Sequence, residues 1–374
     1  MKIKDRNIYF VIVAAVVMFV YFWLSTPIMM DDGYHYEGFA ESLAHGKLDF
    51  KTFYGFQGLS FFSVPIFWLT KSHISIIIAS MIFSILSIPL AYLIGREYYQ
   101  DKKSGVYFLM LFLLMPYPYT TMMRGFQESA LLFFILLIIY LSIKKKDSVP
   151  VAWAIGGVVK PFALVLFPLF IMDYLNRKKF YWLIVALLIG GIYLGASYHQ
   201  TGHLVNNAAI GSYEGNYNLN TAPSLSHSFT AGIKGFLRVI GNLLISSRKI
   251  IVSPLVIMLG GFSLLFHERL KLKFNITIAI ILNFLLVGSL TFSFSKYLLP
   301  MTTLFALVSI PYLIKWRWLM ILVFIDSIFV FLPIWNYFGV HFWSGVYFYL
   351  TPLWLAVGLY IIYESGLFNY NSNS

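Results

Sequence analysis

Apolar runs of about twenty residues recur along the whole chain, and a helix that crosses a bilayer needs roughly that length. Because lipid offers no partner to a backbone N–H or C=O, such a run can cross only as a helix that satisfies its own polar groups. The pattern predicts spans near residues 8–26, 73–95, 105–120, 126–143, 181–198, 249–266, 275–292, 297–314, 318–334 and 346–363. Composition agrees: 59% of the residues are hydrophobic and 11% charged, where a soluble domain carries about a quarter charged. No long polar block interrupts the pattern. The expected fold is therefore an all-α polytopic membrane protein, one membrane-embedded domain over 1–374 with about 10–12 crossings.

Residues 149–175 lie between two basic clusters, Lys144–Lys146 and Arg177–Lys179. If both clusters are cytoplasmic, the segment must go out and come back. Lys160–Pro161 is the natural turn, since proline cannot continue the helical hydrogen-bond ladder. The remaining clusters, at Lys2, Lys4, Arg6, Arg96, Lys102, Lys103, Arg269, Lys271, Lys273, Lys315 and Arg317, then fall on the same side. Both termini are expected in the cytoplasm by the positive-inside rule. The first apolar run is too long and bulky for a signal peptide and reads as a retained anchor. Two outer segments are long, 27–72 and 199–248, followed by C-terminal helices over 249–374. Each outer segment holds candidate amphipathic or re-entrant helices, such as "FQGLSFFSVPIFWLTK".

The formal charge of +12 would suggest nucleic acid in a soluble protein. Here it lies in the short loops and reports topology, so no nucleic-acid partner is expected. The absence of cysteine excludes disulfides and thiolate–metal sites.

At the outer end of the first run stand two adjacent acids, Asp31 and Asp32. Their repulsion calls for a proton or a cation nearby. Tyr36, Phe39, Ala40 and Leu43 follow at three- and four-residue spacing, the pattern of an amphipathic helix on the membrane interface.

"DDGYHYEGFAESLAHG" resembles the first external loop of the GT-C superfamily of membrane glycosyltransferases. Three further segments are similar to its lipid-phosphate-sugar-dependent members, such as the aminoarabinose and protein O-mannosyl transferases. They are "RGFQESALLFF", with Glu128 opening a helix, "GGVVKPFALVLFP", with Lys160 at a Lys-Pro turn, and "FSKYLLPMTTLFAL", with Lys296 and Tyr297. The likeness covers roughly residues 8–315, with 8–198 as the GT-C-like N-terminal module. Lys296 stands where arginine is usual, which removes bidentate phosphate binding, and the soluble C-terminal domain of some members is missing.

The resemblance implies an inverting hexosyltransferase on the outer face of the membrane. Its donor would be a polyprenyl-phosphate sugar and its acceptor an envelope glycan, a lipid or a protein. Asp31 or Asp32 is the expected base, with Glu128 a further catalytic acid. Arg124, Lys160, Arg238, Lys296 and Tyr297 are expected around the donor phosphate, where a water-poor site strengthens the pull of each cation. Lys160 is singled out by cost, since a lysine within apolar sequence is penalised by ~2.5–3.5 kcal/mol on insertion scales. Asp326 is the one acid deep within a clear span, without an obvious partner. No cofactor is expected, although Asp31, Asp32 and His35 leave Mn²⁺ or Mg²⁺ open. Two other readings remain: an O-antigen polymerase- or ligase-like enzyme using a lipid-pyrophosphate glycan, and a lipid or sugar transporter.

Overall fold

The computed structural model describes residues 7–24, 29, 32–53, 55–114, 122, 125–177, 180–204, 237, 240, 253–267, 270–289 and 295–331. Among them the secondary structure is helical, with no strand. The span expected at 346–363 and most of the outer segment 199–248 lie outside the described residues.

Helix α1 (Asn7–Leu24) leads to α2 (Asp32–Ala44) and α3 (Gly58–Thr70), and then to α4 (Ser75–Tyr99). Helix α4 ends where Gln100 turns left-handed, and α5 (Lys102–Leu113) begins at once because the Asp101 carboxylate caps the Ser104 N–H at 3.0 Å. Next come α6 (Glu128–Ile143), α7 (Val149–Val159), a 3-10 turn (Pro161–Leu166), α8 (Pro168–Arg177) and α9 (Phe180–Thr201). The C-terminal part holds α10 (Pro254–Phe266), α11 (Lys273–Ser289), a 3-10 turn (Ser295–Leu298), α12 (Leu299–Lys315) and α13 (Trp318–Phe331).

Among the described residues, α4 and α9 are long and apolar enough to cross a membrane; the other apolar helices are shorter. They differ in what covers them. Helix α4 packs against α5 and α6 and is largely buried. It meets α5 at close range: a Cβ on Gly95 would lie 2.5 Å from the Ser104 carbonyl oxygen, and one on Gly105 would lie 2.8 Å from that of Tyr92. Small residues at a crossing let two backbones approach this way. By contrast α9 leaves an apolar face open, with Leu187, Leu188 and Ile192 each more than half exposed.

The segment 149–175 doubles back on itself, as the turn at Lys160–Pro161 predicts. Arg177 donates to the Lys145 carbonyl at 2.9 Å and to the Asp147 carboxylate at 2.7 Å, so the start of α7 and the end of α8 meet. The far end of that excursion is Lys160. Contacts at the Arg177 end fix the polarity of the neighbours. There the end of α4 meets the end of α6, with Lys144 Nζ donating to Glu97 at 2.7 Å.

One expectation needs correcting. The face of α2 marked by Tyr36, Phe39 and Ala40 is buried in protein, against α3 and α4, and is not left for the interface. Leu43, the fourth member of the pattern, is only partly buried. The reason is the following loop: Phe50 and Phe53 fold back on Phe39, with ring centroids 5.3 and 5.8 Å away. That loop is in turn held by α9. The Gln200 side chain accepts from the Phe50 N–H at 2.9 Å and donates to the Leu48 carbonyl at 2.6 Å, while the Tyr193 hydroxyl accepts from the Gln57 N–H at 2.9 Å. Three- and four-residue spacing reports an apolar face; it does not report what covers that face.

Candidate functional site

The site grows from the break at Lys160. Pro161 has no N–H to continue α7 and pushes the preceding residue out of the helical region. Lys160 accordingly takes an extended conformation, φ −160° and ψ 132°, while its own N–H still closes the last turn on Gly156 at 2.8 Å. The result is a lysine presented sideways from a helix end, with its side chain 11% exposed.

Its partner is Glu128, 1% exposed, the first residue of α6. Lys160 Nζ donates to Glu128 Oε1 in a short, direct ion pair. Two features allow an acid to be buried there. The lysine neutralises it, and the free N–H groups at the start of a helix favour negative charge. Withdrawing either partner would leave a buried charge unpaired, which costs about 3–5 kcal/mol in comparable cases.

Tyr297 forms a further wall. Lys160 Nζ lies 6.0 Å from its ring centroid, within range of a cation–π contact. The ring stacks on Phe162 at 4.4 Å and 15°, so the residue two places after Lys160 sets the orientation of the tyrosine. Tyr297 is also fixed through its backbone. Buried Asn283 on α11 donates from Nδ2 to the Tyr297 carbonyl at 3.2 Å, and its Oδ1 accepts from the Met301 N–H at 3.2 Å. One amide thus caps α12 and positions the turn that carries Tyr297.

The acid-bearing helix α2 reaches the same place by another route. Gln127, next to Glu128, donates from Nε2 to the Tyr36 hydroxyl at 2.8 Å. Tyr36 lies one helical turn after Asp32, and its carbonyl accepts from Ser60 Oγ at 2.7 Å. Helix α3 passes close to the Lys160 break: a Cβ on Gly58 would stand 2.3 Å from Val159 Cα. Only glycine fits there without moving the end of α7.

Beside the site, Glu37 is 2% exposed. It accepts from Ser75 Oγ at 3.0 Å and from the Ile76 N–H at 3.2 Å, capping the start of α4. Burial pushes its carboxyl up from 4.5 to about 7, against the lowering effect of the Ser75 and Ile76 hydrogen bonds and of His73.

Of the residues expected at the site, Glu128, Lys160 and Tyr297 come together, and Asp32 is tied to them through Tyr36 and Gln127. Asp31, Arg124 and Arg238 lie outside the described residues. Lys296 and Asp326 have described backbones, in the 3-10 turn at Ser295–Leu298 and in α13, but their side chains lie outside the description. Among the described residues no group of three or more His, Asp and Glu side chains is arranged to hold a metal ion. Gln127, Asn283, Phe162 and Gly58 were missed from sequence. Asn283 alone carried a signal, as an amide within the apolar run "IAIILNFLLVG", where a polar group needs a partner.

In comparisons with known proteins, no family model matches this chain and no curated protein matches it.

Proposed function

We propose that the chain is a polytopic membrane glycosyltransferase of GT-C type that transfers a hexose, with inversion, from a polyprenyl-phosphate carrier to an envelope glycan, lipid or protein acceptor. The observation that carries this reading is the partly buried Lys160 at a helix break, walled by Tyr297 and linked through Glu128, Gln127 and Tyr36 to the helix that Asp32 opens. A largely buried cation, held at a helix break by its ion pair with Glu128, suits the phosphate of a lipid-held donor, and a neighbouring acid-bearing helix suits the approach of an acceptor.

A membrane setting is supported by the open apolar face of α9 and by the glycine crossing of α4 and α5. In the proposed topology the Lys160 end faces outward, and the Arg177 end, the basic clusters and both termini are cytoplasmic, in the cell's inner or plasma membrane.

In the reaction, Asp31 or Asp32 takes the proton of the acceptor hydroxyl. The acceptor oxygen attacks the anomeric carbon from the face opposite the phosphate. The bond from that carbon to the phosphate oxygen breaks, and polyprenyl phosphate leaves with the electron pair. Lys160 stabilises the charge that develops on it, with Arg124, Arg238 and Lys296 as the other cations proposed around the phosphate. No metal is required for this step.

The test is a transfer assay on the protein in vesicles with polyprenyl-phosphate glucose, mannose and galactose, comparing Asp31→Asn and Asp32→Asn with the parent. Covalent transfer that is lost in one of the two variants, with folding retained, is the expected result. Full activity in both removes the carboxylate mechanism. Movement of the lipid-linked sugar across the vesicle without covalent transfer replaces the enzyme with a transporter.

A further inference from the structure

Glu128 and Lys160 cancel one another, so an anion that comes to Lys160 meets a carboxylate already in its place. We infer that this ion pair is an exchangeable lock: the donor phosphate binds by displacing Glu128 from Lys160, and Glu128 is a built-in competitor that sets how tightly the site holds its anion. The inference rests on the lipid-phosphate reading above and adds a role for Glu128 that the transfer chemistry does not require.

Three features of the site make the exchange feasible. Lys160 belongs to no helix; Pro161 fixes its backbone as extended, and its four-carbon stem can swing about that anchor. Its side chain keeps 11% of its surface exposed, whereas Glu128 keeps 1%, so an incoming group reaches the lysine before the acid. Glu128 also has a second source of support. As the first residue of α6, a helix of 16 residues, it stands against that helix's free N–H groups and positive dipole end, which remain when the lysine turns away. The lysine follows the C-terminal end of α7, whose partial negative charge is a weaker partner than a full carboxylate. Without Glu128 the lysine is open to another anion, and the Tyr297 ring, stacked on Phe162, lies beside its ammonium group. A rigid structural pair would instead have both members sealed and both held within regular helices.

The consequence runs against the usual effect of removing a site residue. Neutralising Glu128 should strengthen anion binding, because the competitor is gone and the cation stays. The experiment measures binding of polyprenyl phosphate and of inorganic phosphate to the full-length purified protein by calorimetry, with folding followed by helical circular dichroism. Glu128→Gln is expected to bind polyprenyl phosphate roughly tenfold tighter than the parent, and Lys160→Met to bind neither probe. Glu128→Asp, which keeps the charge but withdraws it by one methylene, is expected to fall between parent and Gln, and it serves as the test if Glu128→Gln does not fold. Unchanged or weaker binding in the folded Glu128 variants overturns the lock while leaving the lipid-phosphate reading in place. Tighter binding of inorganic phosphate alone upholds the lock and removes the lipid donor. No binding of either probe by any folded variant overturns both.

Discussion

Gln127 Nε2 and the Tyr36 hydroxyl, 91 residues apart in sequence, meet at 2.8 Å within the protein interior. Through this contact the helix that begins at Asp32 is held against the helix that begins at Glu128. The two acids and Lys160 thus belong to one packed unit, although the three elements that carry them are joined by long stretches of chain. Gln127 Oε1 is buried without a hydrogen-bond partner among the described residues, so the bond to Tyr36 is the contact that holds this amide.

Tyr36→Phe should therefore leave a buried carboxamide unsatisfied and lower stability by about 1–3 kcal/mol. Gln127→Leu combined with Tyr36→Phe should recover part of that loss, since two apolar groups need no partner. Thermal unfolding of the two single variants and the double variant gives the coupling. Additive losses would mean that the contact contributes nothing of its own.

Gly58 is expected to tolerate no side chain. In Gly58→Ala the new methyl would overlap the Val159 backbone, and α3 or the end of α7 must shift. A loss of roughly 1–3 kcal/mol is typical of overpacking, and because Lys160 follows Val159, sugar transfer should fall by more than the loss of folded protein explains. Transfer per folded molecule, measured beside unfolding, checks this. Equal losses in the two would place the effect in stability alone.

Much of this fold is legible in sequence. The apolar runs gave the helices, and Lys160–Pro161 between two basic clusters gave the out-and-back excursion that Arg177 closes onto Lys145 and Asp147. These are local signals, carried by period, proline and charge. The site was legible only in pieces: Glu128, Lys160 and Tyr297 could each be named, but not their mutual contact, which depends on how α6, the end of α7 and the turn before α12 pack. Asn283 and Gln127 act through partners distant in sequence, and no local pattern encodes such pairs. The face of α2 shows the same limit. Its spacing was read correctly, and its cover, the returning loop at Phe50 and Phe53, was not.

Glu37 should make stability depend on pH. Its carboxyl titrates near 4.5 in the unfolded chain and at about 7 when buried, so the folded form holds the proton more tightly. The stabilising contribution is complete below about 4.5 and is lost as pH rises to about 7, by on the order of 1–3 kcal/mol. Glu37→Gln keeps an acceptor for Ser75 and the Ile76 N–H and should flatten this part of the profile. Thermal unfolding between pH 4.5 and pH 8 compares the two; an identical slope in the variant would assign the dependence to other groups, His73 and Glu41 being the neighbours that face Glu37.

The central claim, that Lys160 receives the phosphate of a lipid-linked hexose, is tested most directly by ligand-induced stabilisation. The melting temperature of the purified protein is measured alone and with polyprenyl phosphate, polyprenyl pyrophosphate and a set of polyprenyl-phosphate hexoses, for the parent and for Lys160→Ala. A ligand that binds only the folded state raises the melting temperature by mass action. Stabilisation by one monophosphate hexose, weakened in Lys160→Ala, is the predicted result. Stabilisation by pyrophosphate carriers alone, or the same shift in Lys160→Ala as in the parent, would contradict it.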